Sequence, residues 1–95
     1  MINAITLIGI LLNNHGLEWI LDPFFSGDEL GTFRIKEHED VVEVNIKTLV
    51  VRFFPDYLTW HSDQASLKIC LFDSGSEKLV ERYMRFIRGP SKFQK

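Results

Sequence analysis

Apolar residues repeat with two different periods along this chain, and the switch between the periods is the feature that most constrains its fold. Near both ends the spacing is helical, whereas between residues 17 and 71 apolar and polar residues largely alternate. A period of about 3.6 residues buries one face of a helix, and a period of about two buries one face of a strand. The chain therefore predicts helices at its two ends and strands between them.

An apolar stripe at helical spacing marks the N-terminal segment and predicts a helix there. Its members are Met1, Ala4, Ile5, Ile8, Leu11 and Leu12. Asn3 can cap the first turn, and Gly16 suits the left-handed conformation that often ends a helix. A buried strand is the competing interpretation, because short Ile-rich runs fit both. Ile2, Leu7 and Ile10 widen the stripe, so a second subunit is one candidate to cover it.

Segments with the composition of strands follow one another between the predicted helices. They span residues 17–22, 32–36, 41–46, 48–54, 57–62 and 65–72, which predicts five or six antiparallel strands. Alternation in the third segment points Glu43 outward. The fourth segment is apolar on both faces, which is typical of a central strand and places Phe53 and Phe54 in the core. Pro55 and Asp56 suit a tight turn.

The C-terminal helix has the clearest boundaries in the sequence. Ser74 and Glu77 have the spacing of a capping box, and Gly89-Pro90 is a stop signal. The predicted buried face between these signals consists of Leu79, Val80, Tyr83, Met84 and Ile87. The order helix, strands, helix predicts an α+β fold: an N-terminal helix, an antiparallel meandering sheet of about five strands and an amphipathic C-terminal helix, with the helices on one sheet face.

Length and composition predict one domain that does not enter a membrane. The 95 residues, 45% of them hydrophobic, suffice for a single α+β domain over residues 1–89 and a basic tail over residues 90–95. The N-terminal apolar stretch is shorter than the ~20 residues that span a bilayer, and no basic residue precedes it as in a secretory signal. Cys70 is the only cysteine, which favours a reducing compartment. We therefore expect a cytoplasmic protein.

Positive charge is concentrated at the C-terminal end. Residues 78–95 carry six bases and one acid, for a net charge of +5, whereas residues 1–77 carry five bases and twelve acids, for −7. Several of these bases lie within about a third of the circumference of the C-terminal helix, opposite its apolar stripe. They are Lys78, Arg82, Arg85 and Arg88, and Lys92 and Lys95 extend the charge into the tail.

This cationic face allows more than one interpretation. A solvated surface is the plainest, because cations in the last turn of a helix complement its dipole. The functional interpretations are a docking surface for an acidic protein and phosphate recognition on a nucleic acid. The nucleic-acid interpretation is the weaker, because the net charge of −2 opposes attraction to a polyanion and the sequence has no nucleic-acid-binding motif.

The aromatic pair Phe24 and Phe25 is a second candidate contact. It follows Pro23, which should end the first strand, and it precedes a polar turn. Aromatic side chains and arginine are frequent anchors of protein interfaces. The competing interpretation is that both rings fold back as a lid over the sheet edge.

Residues that could support catalysis or metal binding are scattered. His15, His38 and His61 are separated by more than twenty residues, and the charged residues 37–40 cannot all converge on one ion because they are consecutive. His61 and Asp63 are of the types that form a base and its orienting acid, but no nucleophile motif accompanies them. The sequence therefore predicts no enzyme, no cofactor and no metal site.

These features predict a small non-enzymatic protein-binding factor, such as an inhibitor, an immunity or antitoxin-like protein, or an adaptor. We expect its partner to be a protein with an acidic surface. A nucleic-acid-associated protein that uses the basic helix face is the alternative, and a structural homo-oligomer is a third class. The predicted partner-binding residues are Lys78, Arg82, Arg85, Arg88, Lys92, Phe24 and Phe25.

Overall fold

A computed structural model describes residues 3–22 and 29–88 of the chain, apart from the side chains of Phe86 and Arg88. Its elements are α1 (Ala4–Asn14), β1 (Trp19–Leu21), β2 (Leu30–Ile35), β3 (Val41–Asn45), β4 (Val50–Phe54), α2 (Tyr57–His61), β5 (Leu67–Cys70) and α3 (Ser76–Arg88). The strands form one antiparallel sheet in the order β1-β2-β3-β4-β5, so each strand pairs with its neighbours in sequence. The predicted α+β fold is confirmed.

The N-terminal segment is helical, as its apolar spacing predicts, and the competing strand interpretation is wrong. The side-chain oxygen of Asn3 accepts a hydrogen bond from the N–H of Thr6 at 2.8 Å, which caps the first turn. Gly16, with φ at 74°, follows the last turn in the left-handed region that favours glycine. Ile10 is the exposed large apolar residue of α1, whereas Ile8 and Leu12 are fully buried.

One face of the sheet is covered by α1 and α3, which also contact each other. The core on this face is built from Phe33, Ile35, Val42, Val44, Val51, Phe53 and Ile69 of the strands and from Ala4, Ile8, Leu11, Leu12, Val80, Met84 and Ile87 of the helices. Trp19 lies at its margin, edge-on to Phe33 with ring centroids 4.8 Å apart. A Cβ at Gly9 would lie 2.9 Å from Cζ2 of Trp19, so a side chain there would displace the indole.

The segment 57–62 forms a short helix, so the prediction of a strand there is wrong. The carboxylate of Asp56 accepts a hydrogen bond from the N–H of Thr59 at 2.8 Å, and the N–H of Asp56 donates to the Thr59 hydroxyl at 3.3 Å. These reciprocal bonds satisfy amide groups that the first turn of a helix leaves without partners. The resulting helix α2 packs against β4.

Replacing Asp56 with alanine should lower the free energy of unfolding by about 1 kcal/mol, because the first turn of α2 loses its acceptor. Urea unfolding followed by circular dichroism measures this change, and Glu39→Ala in the exposed β2–β3 turn is the matched control. Asn retains an acceptor oxygen at this position. An Asp56→Asn variant as unstable as Asp56→Ala would show that the cap is not the cause.

The C-terminal helix begins at Ser76, later than its predicted cap at Ser74. Gly75, with φ at 82°, occupies the position before the helix, so the cap position falls on Gly75 and not on Ser74 as predicted. Val80, Met84 and Ile87 are buried as predicted, but Leu79 is 42% exposed. The prediction that Leu79 belongs to the buried face is therefore wrong, since the face that packs on the sheet is narrower than the apolar stripe.

Candidate functional site

The outer face of α3 carries the cations that the helical projection places there. Lys78, Arg82 and Arg85 are exposed, on the side of the helix away from the buried residues Val80 and Met84. The backbone of Arg88 continues the same helix. The described part of α3 thus presents a continuous cationic surface to solvent.

These cations differ from most others in the described chain because they have no acidic partner. Ion pairs within 4.0 Å join Arg34 to Asp22, Lys36 to Glu18, Lys47 to Glu29, and Arg52 to both Glu43 and Asp63. Among the residues that the structure describes, none of Lys78, Arg82 and Arg85 makes such a pair. Even Glu81, one turn before Arg85, does not approach it within this distance. The charge of α3 is therefore available to a partner.

An apolar depression of about 240 Å³ adjoins the cationic face. Leu67, Leu79, Arg82 and Tyr83 line it, between α3 and the outermost strand β5. The ring of Tyr83 packs on buried Phe53 with centroids 4.3 Å apart, and its hydroxyl lies 2.5 Å from the Ser66 hydroxyl. These contacts hold one wall of the depression in place. The sequence prediction missed this feature because it assigned Leu79 to the core.

Phe72 is a further exposed apolar residue, and it lies close to α3 in sequence. It stands in the turn between β5 and α3, and its side chain is 75% exposed. Exposed apolar and aromatic residues together with arginine are typical of protein interfaces.

The opposite face of the sheet holds a charged network under α2. Glu43 accepts a hydrogen bond from Nε of Arg52 at 2.7 Å through one carboxylate oxygen and from Nε1 of Trp60 at 3.1 Å through the other. Another guanidinium nitrogen of Arg52 bonds the carboxylate of Asp63. The guanidinium also stands over the Phe54 ring, 5.1 Å from its centroid. The network ties α2 and the loop that follows it to the sheet.

The burial of Glu43 corrects the expectation that alternation points it into solvent. Its side chain does lie on the face away from α1 and α3, but the residue is only 8% exposed. Burial lowers the pKa of Arg52, while hydrogen bonds to Asp63 and Glu43 outweigh that effect and leave the pKa above its ordinary value. Arg52 therefore stays charged throughout the neutral pH range, and its contribution to stability does not change there.

The histidines among the described residues are not grouped with other side chains that could hold a metal ion. Asp63 pairs with Arg52 instead of orienting His61, whose ring stacks on Tyr57 with centroids 6.2 Å apart. No group of three or more His, Cys, Asp or Glu side chains within residues 3–22 and 29–88 is placed to hold a metal ion.

An open hollow of about 340 Å³ beside the β2–β3 turn is lined by residues of both charges, including Arg34 and Glu37.

Part of the predicted binding surface lies outside the described residues. Phe24, Phe25 and Lys92 fall there, as do residues 90–95 and the side chain of Arg88.

Within the described ranges, no helix combines the length and apolar character needed to cross a membrane. Comparison of the chain with protein-family models, with curated proteins and with solved structures found no match.

Proposed function

We propose that this protein is a non-enzymatic binding factor, of the inhibitor, immunity or adaptor type, that docks an acidic partner protein on α3. The observation that carries this proposal is the set of cations Lys78, Arg82 and Arg85, which make no ion pair with any described residue and lie beside the apolar depression. A surface that served only solubility would need no such apolar neighbours. Complementary charge speeds encounter, and apolar contacts with Arg and aromatic anchors supply affinity.

The apolar neighbours also favour a protein partner over a nucleic acid. A phosphate backbone is bound by cations and hydrogen-bond donors, and it offers nothing to cover Leu79. The net charge of −2 further opposes attraction to a polyanion. A nucleic-acid function is therefore kept as an outcome of the test below.

Charge reversal on α3 should abolish partner binding without unfolding the protein. A photo-crosslinking residue placed at Leu79 should give a discrete protein adduct in cells, and the adduct should disappear when Arg82→Glu and Arg85→Glu are combined. With the purified partner, the double reversal should weaken binding at least about tenfold, or about 1.4 kcal/mol. Melting temperatures confirm that each variant folds.

The matched control makes the same change of net charge in the turns after β2 and β3, through Lys36→Glu and Lys47→Glu. Their exposed ion pairs contribute little to stability, so this variant should fold and bind as the wild type does. Equal loss of the adduct in both double variants would contradict a specific surface on α3. Gel-shift titration with duplex DNA tests the nucleic-acid alternative. If the protein binds DNA, the logarithm of the binding constant should fall with the logarithm of salt concentration at a slope of about −0.9 per phosphate contact.

A further inference from the structure

The outer edge of β5 is the starting point of a second inference. β5 is the last strand of the sheet, and no strand among the described residues pairs with its outer side. An open sheet edge offers backbone hydrogen-bonding groups to any extended segment that can lie beside it. The edge is short, since β5 has only the residues Leu67–Cys70.

The pairing register shows which backbone groups of β5 face outward. Cys70 lies opposite Val50, and the N–H of Leu71 donates to the carbonyl of Leu49 at 2.8 Å. Hydrogen-bonded and non-hydrogen-bonded pairs alternate along an antiparallel ladder, so Ile69 bonds toward β4 while Lys68 and Cys70 face away from it. The carbonyl of Cys70 accepts from the N–H of Asp73 at 3.1 Å, which leaves both groups of Lys68 and the N–H of Cys70 at the edge.

Side chains on the two faces of this edge define what an added strand would need. On the helix face, the depression between Leu67, Leu79 and Tyr83 would receive an apolar side chain, with Arg82 at its rim. Lys68 lies on the opposite face, directly across the β4–β5 ladder from Arg52. It makes no ion pair among the described residues. Successive side chains of a strand point to opposite faces, so apolar and acidic residues would alternate.

We propose that β5 is extended by a strand from the partner, in which apolar and acidic residues alternate. The apolar side chains fill the depression, the acidic ones face Lys68, and the backbone pairs with the outward groups of Lys68 and Cys70. This proposal rests on the proposed function and specifies the form of its partner. A second copy of β5 is disfavoured, because it would bring a second Lys68 and a second Arg82 to the same edge.

Amide exchange with a defined peptide tests this proposal. The probe is a short blocked peptide in which glutamate and valine alternate, and a peptide of the same composition with the two residue types in separate blocks is its control. With saturating alternating peptide, the amide hydrogens of Lys68 and Cys70 should exchange at least about tenfold more slowly, as measured by NMR. The amide of Ile69, already bonded toward β4, should change little.

Two further measurements separate strand addition from simple charge attraction. The alternating peptide with N-methylated backbone keeps its charge but cannot donate, so it should bind at least about tenfold more weakly. Leu79→Ser should weaken binding of the unmodified peptide, while Leu58→Ser, at an exposed position of α2, should not.

Two results would overturn the proposal: no binding of the alternating peptide, or binding without slower exchange at Lys68 and Cys70. Either result leaves the docking surface on α3 standing if the Arg82 and Arg85 reversal still releases the cellular partner. Loss of both would remove the proposed function as well.

Discussion

An Arg52→Met variant should lose about 3–5 kcal/mol of unfolding free energy. Methionine keeps much of the aliphatic stem but removes the guanidinium that satisfies Glu43, leaving that carboxylate buried with Trp60 as its remaining partner in the network. Removal of the cation beside a buried carboxylate costs this much because the carboxylate remains buried without compensation. Guanidinium chloride unfolding, monitored through the tryptophan signal, measures the change.

Two companion variants identify the cause of that loss. Lys47→Met removes a cation whose pair with Glu29 is exposed, and it should change stability by less than about 1 kcal/mol. Glu43→Leu combined with Arg52→Met removes both charges and should recover much of the stability, because the uncompensated charge is then gone. If the double variant were as unstable as Arg52→Met alone, the loss of stability would come from packing and not from the uncompensated charge.

Phe53→Ala should lower the free energy of unfolding by about 3–5 kcal/mol. This loss is comparable with that of Arg52→Met, but its cause lies on the other face of the sheet. Phe53 is fully buried, and its ring packs against Tyr83 of α3. Truncation removes apolar burial and leaves a cavity between β4 and α3, which together account for this magnitude. Thermal and denaturant unfolding measure the loss.

The same substitution at Phe72 is the matched control. This ring is 75% exposed, so Phe72→Ala should change stability by no more than about 0.5 kcal/mol. If Phe72→Ala destabilised as strongly as Phe53→Ala, the exposed position of Phe72 would be wrong. If it left stability unchanged but weakened partner binding, it would extend the proposed docking surface beyond α3.

Local patterns in the sequence were enough to predict most of the fold. The alternation around Phe33 and around Val42 identifies β2 and β3, because one buried sheet face imposes a period of about two on each strand. The stripe on α3 survives its shifted start, since Val80, Met84 and Ile87 remain one turn apart on the same side. Connections between neighbouring strands then leave the meander as the simplest topology.

Features that depend on distant residues could not be predicted in this way. Glu43 is buried because Arg52 and Trp60 reach it from 9 and 17 positions along the chain, and no local pattern reports that. The helix α2 was missed because its five residues are too few to show a helical period, while Tyr57 and Trp60 suggested a strand.

The candidate site also has one part that local sequence patterns predict and one part that depends on the tertiary structure. The cationic face of α3 follows from the spacing of Lys78, Arg82 and Arg85 alone, whereas the adjoining depression requires β5 to be placed beside the helix. Whether a cation has an acidic partner is also a tertiary property. In this respect the cations of α3 differ from Arg34 of β2, which forms an ion pair with Asp22.

The contact between α1 and α3 has a consequence for how the protein is synthesised. The two helices come from opposite ends of the described chain yet share one sheet face. Until the ribosome has released α3, the side chains of Phe53 and Ile69 lack part of their cover, even though all the strands already exist. The nascent chain is therefore prone to aggregate, and suited to bind a chaperone, until α3 emerges.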